Sequence, residues 1–290
     1  MFLPYRNLEN VSNFQFFQLD LNRELEGICQ ALADFKPEVI VDFAGQGMVA
    51  ESWGAPEQWY QTNIVSKVRL HHFLKDQSWL RRYVRISTPE VYGSSEELIG
   101  EKQPYNPSTP YAVSHAAIDM SLGAFHQNYG FPVLFGRFAN FYGEHQQLYR
   151  IVPKAILSVR SGRKLPLHGG GKSIRAFIHA EDVAEGIERM VEDGRTGEVY
   201  HFSPSRFQSI RDVVDLICKR LGSDIESATE VTADRPGKDM AYLMDATKAG
   251  TELGWTPRIT FEDGIDRTVS WISKHYEAML NLPWTYQHKP

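Results

Sequence analysis

The sequence predicts an α/β protein built on a Rossmann-type parallel sheet, and three observations carry that reading. The first half alternates short apolar runs with amphipathic stretches in a β-α-β-α-β rhythm, the pattern of a parallel sheet with helices on both faces. One of those runs, EVIVDFAG at 38–45, is short, mostly apolar and ends in glycine, as a buried parallel strand should. The chain is also large and apolar enough to bury such a sheet: 290 residues, 42% hydrophobic and 12% aromatic.

Taken in order, FQFFQLDL (14–21) reads as a strand. RELEGICQALADF (23–35) has apolar residues at helical spacing, stopped by Pro37. The strand at 38–45 follows, then a long helical pattern from Pro56 to Lys75. YVRIST (83–88) is the next strand. Residues 108–130 form a helix with a Ser/Thr-Pro start and a Gly stop, and FPVLFGRFA (131–139) is a further strand. The second half is less regular. It predicts helices near 149–161 and 209–221, a strand at EVYHFS (198–203), and a final helix over 261–280 carrying Trp271 and Ile272. A composition shift near 144 suggests two lobes sharing a cleft.

The composition excludes several classes. A net charge of −5 argues against a nucleic-acid binder, which needs a basic face. Two cysteines, Cys29 and Cys218, cannot build a disulfide framework. No run reaches the ~18 apolar residues of a membrane span, and MFLPYRNLEN lacks the regions of a signal peptide. The expectation is a soluble, cytoplasmic protein with no membrane or nucleic-acid partner.

Candidate chemistry gathers at strand ends, where open α/β sheets bind ligands. Tyr111 and His115, at i and i+4, share one helix face. Ser87-Thr88-Pro89-Glu90-Val91-Tyr92-Gly93 follows one strand, Asp42-Phe43-Ala44-Gly45-Gln46 another and Arg137-Phe138-Ala139-Asn140-Phe141-Tyr142-Gly143 a third. Leu165-Pro166-Leu167-His168-Gly169, the run from Ile174 and Arg175 to Val183, and Asp234-Arg235-Pro236-Gly237-Lys238-Asp239 come next. Asp182 reads as a residue that caps or orients a helix. His71-His72 reads as solvated helix surface. His168 and His179 lack metal-ligand spacing, so no metal site is expected.

In order and spacing, across roughly residues 12 to 280, these motifs resemble the extended short-chain dehydrogenase/reductases that modify nucleotide sugars, and most of all the dTDP-glucose 4,6-dehydratase-like members. The resemblance implies an NAD-dependent enzyme acting on a nucleotide-diphosphate hexose. Tyr111 would take the C4 hydroxyl proton as hydride leaves, and Thr88 would bond the same hydroxyl. Glu90 would remove the C5 proton. Asp20 and Leu21 would lie near the adenine, with Ala44, Gly45, Gln46, Tyr111 and His115 along the cofactor. Asn140, Arg175 and Arg235 would hold the diphosphate, which suits guanidinium donors. Leu165 and Leu167 would flank the nucleotide base. Residues 1–143 would form a partial dinucleotide-binding domain and 144–290 a substrate lobe interleaved with it. Pairing of the helices at 56–75 and 109–128 would make a homodimer.

Three departures from the family pattern stand out. The G-x-x-G-x-x-G turn that seats a pyrophosphate on a helix N-terminus is absent. The expectation is that about 50 residues of strand, turn, helix and strand precede this chain in a full family member, through a late start or a truncated gene. Removing them would leave the strand at 14–21 without a neighbour and bare an apolar edge on the strand at 38–45. His115 stands where the family has lysine, whose charge at ~6 Å is worth about 2.8 kcal/mol to a tyrosinate; this predicts slow catalysis that His115→Lys would raise in a chain with a complete N-terminus. Pro89 stands where the dehydratases carry the acid for the leaving C6 hydroxyl, so a water or Glu51 would have to replace it. The expected reaction is 4,6-dehydration; 4-epimerisation, or sugar-nucleotide binding without catalysis, are the rivals.

Overall fold

A computed structural model describes residues 13–95, 97–234 and 241–289. The stretch expected as a strand, 14–21, has no regular secondary structure and joins no ladder among the described residues. Its Phe14, Phe16 and Phe17 are exposed. Asp20 instead opens the turn that leads into the first helix. Its carboxylate accepts the N–H groups of Asn22 and Arg23, and its carbonyl accepts that of Glu24.

Helix α1 (Leu25–Phe35) ends at Lys36 in the left-handed conformation. Strand β1 (Val39–Asp42) follows. The long helical pattern from Pro56 is one rod in three parts: α2 (Pro56–Tyr60), a π-helical stretch (Gln61–Ser66) and α3 (Lys67–Leu74). Its buried face carries Lys67, His71 and Leu74 at i, i+4 and i+7. His71 is therefore not solvated surface, as its sequence context suggested; only His72 is exposed. Strands β2 (Arg82–Ser87) and β3 (Leu98–Ile99) precede α4 (Pro110–Tyr129). Thr109 caps α4 by accepting the Ala112 N–H, and Gly130 stops it at positive φ.

Beyond α4 come β4 (Val133–Phe138), β5 (Asn140–Tyr142), α5 (Ile151–Ser161), β6 (Leu165–His168), β7 (Ile174–Arg175), β8 (Phe177–His179) and α6 (Ala180–Asp193). Strands β9 (Val199–Phe202) and β10 (Gln208–Ser209), α7 (Ile210–Arg220), α8 (Ile225–Ala228), β11 (Thr229–Thr232) and β12 (Leu243–Met244) follow. The chain closes with α9 (Thr247–Leu253), α10 (Phe261–Lys274) and α11 (Tyr276–Leu280). The last two divide the expected 261–280 helix at His275.

The main sheet runs β1-β2-β4-β9, all parallel. Strand β9 comes from the second half, so the two halves share one sheet. Strand β1 pairs only with β2 among the described residues, and Val39, Val41 and Phe43 are exposed along that side. One core packs on the sheet through Val84, Leu134, Phe138, Phe202 and Trp255. A second, in the C-terminal lobe, joins Val152, Ile156, Val213, Ile217, Ile265 and Ile272. Asp182 does orient its neighbours: its carboxylate accepts the N–H groups of Arg258 and Ile259 at 2.9 and 3.2 Å.

Candidate active site

The C-terminal ends of β1 and β2 and the first turn of α4 meet at one place. Tyr111 opens α4, and its N–H donates to Ser52 Oγ at 3.2 Å. Its phenol lies near Thr88, the residue that follows β2, which draws its pKa down. Thr88 also caps the 3-10 turn Pro89–Tyr92, accepting the Glu90 N–H at 3.3 Å. Pro89 is buried at the first position of that turn, where a fixed φ suits the helix; it builds the turn and has no proton to give. Burial, then the nearby Glu90 carboxylate, push the Tyr111 phenol up to about 12, against the pull of Thr88, Arg150 and Arg85.

His115 lies one turn along α4, its ring centroid 4.5 Å from that of Tyr111. Its Nδ1 accepts from Arg85 Nη2 at 2.9 Å. Burial, then the cations Arg85 and Lys67, hold the imidazole well below its ordinary pKa, so it is neutral. Arg85 belongs to a buried charged group. Asp42, directly opposite it in the sheet register, is ion-paired to Lys67 and to Arg85. Asp119 pairs with Arg85 and Arg137 and accepts from Ser87 Oγ at 2.6 Å.

This arrangement revises the expected effect of His115→Lys. A lysine there adds a second cation beside Arg85 and offers no acceptor in place of Nδ1. At ~6 Å and an effective dielectric of ~20 the repulsion is about 3 kcal/mol. The single variant is expected to lose that much stability in urea denaturation. Raised turnover is expected only when Arg85→Gln accompanies it and restores the charge of the cluster.

Two residues that sequence reasoning missed hold the site together. Asn63, fully buried in the π-helical stretch, accepts the Gln46 N–H at 2.7 Å and donates to the Gln46 carbonyl and to Ser114 Oγ. It fastens the 44–46 loop to the Tyr111 helix. A Cβ on Gly45 would sit 3.0 Å from the Asn63 side-chain oxygen, so a larger residue there would press on the amide clamp. Its signal was a polar side chain on the inward face of an apolar helix. Tyr242 is the other. Its hydroxyl lies 3.2 Å from Asn140 Oδ1 and 3.5 Å from Glu90 Oε1, and the Arg175 guanidinium stacks over its ring at 4.3 Å.

The structure thus brings Thr88, Glu90, Tyr111 and His115 together and sets Asn140 and Arg175 beside them through Tyr242. Ala44, Gly45 and Gln46 form the adjoining loop, where Ala44 N–H is held by the Asp42 carboxylate at 3.1 Å. The Gln46 side chain donates to the Lys289 carbonyl at 2.8 Å, so the C-terminal segment reaches the same loop. Asp20 is exposed and Leu21 half-buried at the turn into α1. Leu165 and Leu167 are buried in the C-terminal core and alternate along β6 with the half-buried Pro166 and His168. Arg235 lies outside the described residues.

The residues present fit the reactive half of a dinucleotide. A phenol beside Thr88, a neutral imidazole with one nitrogen committed to Arg85, and a clamped loop all converge at strand ends.

The GDP-mannose 4,6 dehydratase family profile matches residues 4–268. The dTDP-glucose 4,6-dehydratase of Xanthomonas campestris pv. campestris is 34% identical over 263 residues, covering 84% of this chain and 75% of that protein. A trifunctional UDP-glucose 4,6-dehydratase/UDP-4-keto-6-deoxy-D-glucose 3,5-epimerase/UDP-4-keto-L-rhamnose-reductase of Arabidopsis thaliana is 34% identical over 91% of the chain, which spans only 40% of that protein's length. Among solved structures, the dTDP-glucose 4,6-dehydratase DesIV of Streptomyces venezuelae, with NAD bound, is similar at a TM-score of 0.84 and 32% identity, covering 89% of this chain and 79% of that one. The UDP-glucuronic acid 4-epimerase of Bacillus cereus shares the fold at a TM-score of 0.87 and 24% identity, covering 93% of this chain and 85% of that one.

Proposed function

The chain belongs to the GDP-mannose 4,6 dehydratase family, and from that premise we propose that it is an NAD-dependent enzyme that oxidises a nucleotide-diphosphate hexose at C4 and dehydrates it across C5 and C6. The observation that carries this reading is the grouping of Thr88, Glu90 and Tyr111 around one cleft, with Tyr242 joining Glu90 to Asn140 under Arg175.

When bound, NAD supplies the hydride acceptor for C4 and the hydride donor for C6. Tyr111, as phenolate, takes the C4 hydroxyl proton while Thr88 holds that oxygen. The resulting ketone acidifies the C5 proton, which Glu90 removes. Pro89 can donate no proton to the departing C6 hydroxyl. In this reading Glu51 does so: it adjoins Ser52, the acceptor of the Tyr111 N–H, and its Oε2 is buried without a hydrogen-bond partner among the described residues. Ala44, Gly45, Gln46 and His115 hold the cofactor, with Asp20 and Leu21 on the adenine side. Arg175 and Asn140 hold the diphosphate, and Arg235 is assigned there by its motif. Residues 1–143 form a partial dinucleotide-binding domain that also lends Thr88, Glu90 and Asn140 to the sugar nucleotide, and 144–290 form a substrate lobe interleaved with it through β9.

Incubation with NAD and a panel of nucleoside-diphosphate hexoses tests this. A 4-keto-6-deoxy product, lost in Glu90→Gln, is the expected result. Pro89 favours a second reading, 4-epimerisation, which needs no acid at C6. A 4-epimer as sole product would establish that reading, and uptake of the sugar nucleotide with no product would leave a binding protein.

We also propose a homodimer through α2–α3 and α4. Val113, Ala117, Met120 and Ala124 form a stripe at helical spacing along α4, with Val113 and Met120 exposed, and Val65 is exposed on the neighbouring π-helical stretch. Burying a charge in an interface core is costly, so Met120→Lys is expected to halve the mass measured by light scattering. An unchanged mass would place any interface elsewhere. Among the described residues no helix is long and apolar enough to cross a membrane.

A further inference from the structure

We propose that Arg85 is a positioning residue that fixes His115 as a neutral imidazole with its proton on Nε2, so that the two side chains together replace one lysine: the imidazole provides the donor and the guanidinium the positive charge. The inference rests on the redox reading above.

The argument is one of donors and acceptors. Arginine carries only donors. The 2.9 Å bond from Arg85 Nη2 to His115 Nδ1 therefore requires a lone pair on Nδ1. In a neutral ring the proton then sits on Nε2, at the outer edge. No group among the described residues accepts from Nε2, so this N–H is left for a ligand oxygen such as a ribose hydroxyl. Arg85 cannot easily turn away. Its side chain is 1% exposed, with Asp42 Oδ2 at 3.5 Å and Asp119 Oδ1 at 3.4 Å on its other edges. Those carboxylates are anchored in turn by Lys67, Ser87 and Arg137. The imidazole is thus oriented by a charged group built across β1, β2, α3 and α4. The guanidinium also draws the Tyr111 phenol downward, a share of what an adjacent lysine ammonium would do.

Nitrogen-detected NMR of histidine-labelled chain reads the tautomer without any cofactor, with the His115 signals assigned by their loss in His115→Phe. A single neutral form protonated on Nε2 is expected near pH 7.5. Protonation on Nδ1, or on both nitrogens, overturns the proposal. Arg85→Met should let the Nδ1–H form appear, and Arg85→Lys, which keeps a donor and a charge, should suppress it. Should Arg85→Met fail to fold, the wild-type tautomer and Arg85→Lys still decide the matter. Calorimetric titration of NAD then tests the donor: His115→Phe should weaken binding about tenfold, the worth of one hydrogen bond. Equal affinity overturns that half. Wild-type chain that shows the Nε2–H form yet takes up no NAD overturns the redox reading and leaves the Arg85–His115 lock standing.

Discussion

Tyr111→Phe should lower the rate of C4 oxidation by ~10³-fold, within the range a positioned general base supplies, while binding of NAD and sugar nucleotide changes little. The substitution removes one oxygen and keeps everything that orients the helix. The backbone N–H still donates to Ser52, the ring still packs against His115, and Thr109 still caps α4. What is lost is the proton acceptor beside Thr88. Single-turnover appearance of reduced cofactor absorbance measures the step directly, and calorimetry checks binding. A fall of less than tenfold would remove Tyr111 from the role of base. The same geometry fixes the sign of the pH dependence. The base must be deprotonated, and the phenol of the free chain is pushed up to about 12. The rate should therefore rise with pH through neutrality, the more steeply the less of that shift the bound ligands reverse.

The parts of this site that are local in sequence were legible there. Thr88, Glu90, Tyr111 and Gly45 sit in short motifs at strand ends, and a strand-turn-helix pattern fixes where such motifs lie. Residues whose role depends on a partner far along the chain were not. Asn63 matters because Gln46 and Ser114 reach it. Tyr242 matters because it meets Asn140 and Glu90 more than a hundred positions away. Arg85 looked like one more residue of a strand, yet its side chain decides the chemistry of His115. The misread positions have the same origin. The run 14–21 is rich in strand-forming residues, but a strand also needs a partner to pair with. Leu165 and Leu167 entered through the resemblance and not through a strand pattern, and period two in a strand says that faces differ and not which one is inside. His71 was judged by its exposed twin His72 when the inward face of α3 also carries Lys67 and Leu74.

Mild acid should destabilise this protein by ~4 kcal/mol between pH 7.5 and 5.5, because three buried histidines must stay neutral for the fold to hold. His71 and His201 are held down to about 3 by burial, with Arg137 adding to the effect at His201. His115 is held well below its ordinary value by burial and by Arg85. Each has a partner that suits the neutral ring. His71 Nε2 meets the Tyr83 hydroxyl at 2.9 Å. His201 Nδ1 faces the Asp245 carbonyl, and its Nε2 faces the Tyr92 hydroxyl. The unfolded chain protonates the same residues near pH 6.5. A depressed folded pKa means that the stabilisation is complete above the unfolded value and is lost as pH falls towards the folded one. One unit below 6.5 each site has lost about 1.4 kcal/mol, and three sites together remove a large part of a total stability of about 5–15 kcal/mol. Glu101, whose carboxyl is raised by burial, opposes the effect in part as pH falls, while the lowered Asp42 stays out of this window. Asp42, lowered to about 2 by Lys67 and Arg85 against its own burial, begins to lose its contribution only below about pH 4. Urea denaturation at the two pH values should show the midpoint fall, and His201→Gln should remove about a third of the difference. Equal midpoints would mean that these rings accept protons inside the fold, and the donor pattern drawn for His115 would lose its foundation with them.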